Sequence, residues 1–72
     1  MNQALDAFVA KKREFDALIA ELARASEDHF FAAPDEISWG DVSSLEHWLG
    51  RVRDVADSIY RRGEYAAQGG GR

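Results

Sequence analysis

Residues 37–63, ISWGDVSSLEHWLGRVRDVADSIYRRG, decide the fold. Val42, Leu45, Leu49, Val52, Ala56 and Ile59 recur at alternating steps of three and four, and Trp48, Val55 and Tyr60 widen the row on its flanks. That period is the signature of an amphipathic helix with one apolar face. Ser38 with Asp41 three residues later forms a capping box, Asp standing where Glu is usual, and Ile37 and Val42 are spaced for a hydrophobic staple. At the other end Arg61 and Arg62 suit the negative pole of a helix dipole, and Gly63 is placed to take a left-handed cap. The spacing predicts a helix over about 39–62.

Working outward toward the N-terminus, a second periodic stretch runs from Gln3 to Phe30. Leu5, Phe8, Lys12, Phe15, Ile19, Leu22, Ser26 and His29 fall on the same alternation, with Val9, Leu18, Ala25 and Phe30 beside them. The stretch contains neither Gly nor Pro and is rich in alanine, the strongest helix former. A helix over about 3–30 is expected, capped by Asn2 and braced by Lys12 with Asp16 and Arg24 with Asp28, pairs four residues apart. Between the helices lies FAAPDEIS, residues 31–38. Pro34 disfavours helical geometry at Ala33, so the first helix is expected to stop just before it, with a single turn over Pro34 to Ile37. A connection this short implies two antiparallel neighbours. The fold class is therefore all-α, an antiparallel two-helix hairpin over residues 1–65. A Gly-rich tail, 66–72, is expected to be disordered, with Tyr65 folding back.

Size bears on what covers the two apolar faces. A chain of 72 residues allows one small domain, and without cysteine no disulfide reinforces it. Both helices carry about three apolar positions per heptad, wider than the two-position seam of a simple helix pair. Two hairpins packed as a four-helix bundle would cover the third row, and a symmetric homodimer is the commonest closed arrangement. The alternative is a monomeric hairpin plugged at its turn end by Phe30, Phe31 and Trp39. Size favours the dimer. Lys12 is the irregular member of the first row: a lysine there costs stability unless its amine reaches solvent or a carboxylate, and it can fix register.

Charge is unevenly placed. Residues 21–46 hold seven carboxylates against Arg24 alone, a balance of −6 within a chain of net −4. In an antiparallel hairpin the turn end is acidic, while Lys11, Lys12 and Arg13 come near Arg61 and Arg62 at a basic open end. Such an end suits phosphate or an acidic partner. The negative total argues against nucleic-acid binding by bulk electrostatics. No apolar run reaches the roughly 20 residues that span a bilayer, and no signal peptide opens the chain, so a cytoplasmic location without membrane attachment is expected.

Chemistry is sparse. Ser43 and Ser44 lack a spaced base, the glycines at 69–71 follow no strand, and Asp35 with Glu36 resemble first-turn capping residues rather than an acid and a base. His29 belongs to the apolar row and His47 to the opposite face, and neither sits in a converging set of ligands, although His29 with Asp35 or Asp41 is the one conceivable pairing. No catalytic residue, metal or cofactor is expected. The arrangement of two long helices is similar to that of the repressor-of-primer hairpin dimers, which bind paired RNA. The likeness is architectural and carries no motif, so it supplies no function.

The sequence thus points to a non-enzymatic, self-associating helical module for protein–protein interaction, with Trp48, Lys11, Arg13, Arg61 and Arg62 as the candidate partner contacts. The alternative is a small nucleic-acid-binding regulator that uses the basic end.

Overall fold

The structure, a computed structural model, describes residues 2–66. The predicted tail beyond Ala66 lies outside the described residues. The chain is all-helical, with two long helices and no strand among the described residues. It divides into two units, Met1–Glu36 and Ile37–Arg72, each built on one of these helices.

In the first unit, α1 spans Gln3–Glu27. Asn2 has extended backbone, and its side-chain oxygen accepts from the Leu5 N–H at 2.9 Å, which satisfies one of the orphan donors of the first turn. The helix ends at Glu27, earlier than Pro34 requires and short of the expected Phe30. Ser26, Asp28 and His29 are weak helix formers, and Glu27 and Asp28 place negative charge at the negative pole of the dipole. Asp28 leaves helical geometry as the C-cap (φ −100°, ψ 25°), and Arg24 and Asp28 form no ion pair. His29, Phe30 and Phe31 follow with φ of 55°, 54° and 69°, a left-handed turn made entirely of residues with a Cβ. Each such residue costs about 1–2 kcal/mol relative to a right-handed conformation. A single 3₁₀ turn at Pro34–Glu36 closes the unit, with the Glu36 N–H donating to the Ala33 carbonyl at 2.9 Å.

In the second unit, α2 spans Trp39–Tyr60. Its capping box is complete: Ser38 N–H donates to Asp41 Oδ2 at 2.9 Å, and Asp41 N–H donates to Ser38 Oγ at 3.3 Å. The C-terminus differs from the expectation. The helix stops before the two arginines, and Arg61, not Gly63, is the residue that takes the left-handed cap (φ 54°, ψ 53°). Arg61 N–H donates to the Ser58 carbonyl at 3.3 Å and Arg62 N–H to the Asp57 carbonyl at 2.9 Å, the pair of bonds of a Schellman motif. Gly63 also has positive φ, 60°, and a Cβ there would stand 3.0 Å from Asp57 Oδ2, so two left-handed residues reverse the chain within three positions.

Only one of those two residues is glycine. Replacing Arg61 with Gly is expected to stabilise the end of α2 by up to about 1 kcal/mol, because the left-handed cap then carries no Cβ penalty. Thermal unfolding followed by circular dichroism checks the sign; a lower midpoint would mean that the arginine side chain contributes more than its backbone costs.

Candidate functional site

The largest feature of both units is apolar and uncovered. No described side chain is buried. Within its own unit each helix shields its side chains only with neighbours one turn away, and Phe15 is 45%, Leu22 49%, Leu45 42% and Leu49 47% exposed although they occupy the centres of their stripes. Eighteen large apolar side chains among the described residues are 38% exposed or more. Covering the exposed half of such a side chain is worth about 1 kcal/mol. Trp48, on the flank of the α2 row, shares this partial exposure with Leu49 and Val52. Trp39 and Phe31, assigned by the monomeric alternative to an end plug, are 84% and 79% exposed.

Of the basic candidates, Lys11 and Arg13 stand on α1 two residues apart, which puts them on different sides of the helix. Lys11 Nζ lies 3.9 Å from Glu14 Oε2, a long and fully hydrated pair. Lys12 does what its position demands: its amine stays in solvent and donates to Asp16 Oδ2 at 2.7 Å. Arg13 is exposed and has no ion pair among the described residues.

Arg61 and Arg62, adjacent in sequence, have separate fates. Arg61 is committed by its backbone to the cap. Arg62 Nε donates to Asp57 Oδ1 at 2.8 Å, and its guanidinium carbon lies 5.0 Å from the centre of the Tyr60 ring, within cation–π range. After Gly63 a 3₁₀ turn, Gly63–Tyr65, brings Tyr65 back along α2, and its hydroxyl donates to Asp54 Oδ1 at 3.0 Å. The expected fold-back of Tyr65 is therefore a specific clasp in which two carboxylates one helical turn apart receive Arg62 and Tyr65. The roles of Asp54 and Asp57 do not show in the sequence pattern, because the partners lie five and eleven positions away instead of at helical spacing. The signal that points to them is Gly63, which marks where the chain can double back.

The clasp bears on the ionisation of Tyr65. Tyr65 is raised above the ordinary tyrosine value of 10.0, first by its hydrogen bond to the Asp54 carboxylate, then by desolvation, and then by the negative charges of Asp54, Glu64 and Asp57. Ionising the phenol would destroy the donor and set it against those carboxylates. As for metals, no group of three His, Asp or Glu side chains gathers among the described residues. No helix among them is long and apolar enough to cross a membrane. Comparison of the chain with protein-family models, with curated proteins and with solved structures finds no match.

A tyrosine whose folded value is raised contributes stability that is fully present below pH 10, the unfolded value, and is lost as pH climbs through the higher folded value. In an alkaline titration read at the tyrosinate absorbance band, Tyr65 is expected to ionise above the ordinary tyrosine value of 10.0. Tyr65→Phe removes that late component. A late component that survives in Tyr65→Phe would show that the clasp does not control the ionisation.

Proposed function

We propose that this chain is a non-enzymatic helical interaction module that folds as an antiparallel hairpin and self-associates, two copies forming a four-helix bundle. The observation that carries the proposal is the pair of wide apolar stripes on α1 and α2, neither of which has a buried side chain. A stripe with three apolar rows per heptad needs helices on two sides, and a hairpin supplies only one neighbour. A second copy supplies the others in a closed two-fold arrangement, with no further component. The polar character of Lys12 and Ser26 within the α1 stripe supports a defined register, since each tolerates only placements in which its polar atoms reach water or a partner. Trp48, on the flank of the α2 stripe, is the aromatic anchor such an interface would use.

The test is thermal unfolding at several protein concentrations, followed by circular dichroism. For a dimer the midpoint rises with concentration through mass action. Leu49→Asp, which puts a carboxylate in the middle of the α2 stripe, is expected to abolish that dependence and lower the midpoint sharply, because an unpaired buried charge is strongly disfavoured. A midpoint independent of concentration in the unmodified chain would contradict self-association. The same material separates the rival reading of a nucleic-acid-binding regulator: tryptophan fluorescence that shifts on adding RNA or DNA at low ionic strength, and loses the shift steeply with salt, would favour the basic end as a phosphate site.

A further inference from the structure

The apolar stripes say that something covers them, and the charge pattern says how a second copy would lie. Residues 21–46 carry −6; since the whole chain carries −4, the remainder carries +2. The asymmetry runs along both helices in opposite senses. In α1 the cations Lys11, Lys12 and Arg13 precede the acidic half, whereas in α2 Asp41 and Glu46 precede Arg51, Arg53 and the two terminal arginines. Local pairing does not neutralise the acidic stretch. The ion pairs Lys11–Glu14, Lys12–Asp16 and Arg62–Asp57 all fall outside it. Among the described residues Glu21, Glu27, Asp28, Asp35, Glu36 and Glu46 have no ion pair, and Asp41 is used in the capping box.

We infer that the stripes are docking surfaces for a second copy of this chain lying head to tail, the acidic turn end of one hairpin beside the basic open end of the other. The inference rests on the hairpin dimer proposed above and adds its orientation. Burial of the stripes is indifferent to direction, because both arrangements cover the same rows. Electrostatics is not. The same-end arrangement sets −6 beside −6, while the head-to-tail arrangement sets each acidic stretch beside a region of opposite sign, which is how charge fixes register and rejects wrong pairings. Helices of 25 and 22 residues at 1.5 Å per residue are roughly 35 Å long, several Debye lengths at physiological salt, so the extreme turn end and open end are screened from each other.

The chain contains no cysteine, so single thiols report position without background. Asp35→Cys marks the turn end and Gln3→Cys the open end; neither side chain has an ion pair or hydrogen bond among the described residues. With a short bis-maleimide linker, a mixture of the two variants is expected to give cross-linked heterodimer, and each variant alone to give no more than background. Raising the ionic strength from about 0.01 to 1 M, which shortens the Debye length from about 30 to 3 Å, is expected to weaken the dimer several-fold. A dimer in which Asp35→Cys links to itself, and which tightens with salt, would overturn the orientation and leave self-association standing. Absence of any dimer by mass at all concentrations would instead remove the reading beneath it.

Discussion

An amphipathic helix must cover its apolar face against another apolar surface, and this chain meets that constraint twice over. Each stripe carries about three apolar positions per heptad along its helix, from Leu5 to Leu22 in α1 and from Val42 to Ile59 in α2. Neither contains a buried side chain. Most helical stability in proteins comes from packing of such a face, with intrinsic propensity a secondary contribution. Alanine content and good caps make the helices ready to form, but tertiary or quaternary cover is what would hold them.

The ends of the helices obey different physics, and they show where the sequence was legible. Helix starts are legible because capping is local: Asn2 with Leu5, and Ser38 with Asp41, need only a side chain that accepts from a backbone N–H three residues on. Stops were less legible. Pro34 is a strong terminator, yet α1 has already ended at Glu27, where weak helix formers and unfavourable charge at the dipole act before the proline can. Gly63 is the natural left-handed residue, yet the cap falls two positions earlier at Arg61, and Arg62 and Tyr65 bond Asp57 and Asp54 from the turn that follows. A pattern of single residues cannot rank a backbone cost against side-chain bonds formed several positions away. The left-handed run His29–Phe31 was illegible for the same reason, as nothing in three residues that all carry a Cβ announces positive φ.

The candidate contacts divide along the same line. Lys12 with Asp16 and the outward amine were readable from helical spacing. By position in the sequence Arg62 is a helix-end cation, whereas it is tied to Asp57 and the Tyr60 ring; among the described residues this leaves Arg13 and Arg61 as the cations of the candidate set without an ion pair. Exposed pairs of this kind are worth about 0–1 kcal/mol, so they direct charge without locking it. Among the described residues the acidic stretch has no internal ion pairs, and it is this uncompensated asymmetry that would orient the dimer proposed above.

Absolute mass in solution, by light scattering on a sizing column over a range of concentrations, tests the central claim most directly. Uncovered stripes on both helices predict a mass twice the chain's 8.0 kDa, about 16 kDa, with the monomer appearing only on dilution. A mass of 8.0 kDa at every concentration would contradict the dimer and leave the cover for Leu22, Leu45 and Leu49 to a monomeric hairpin or to a different partner.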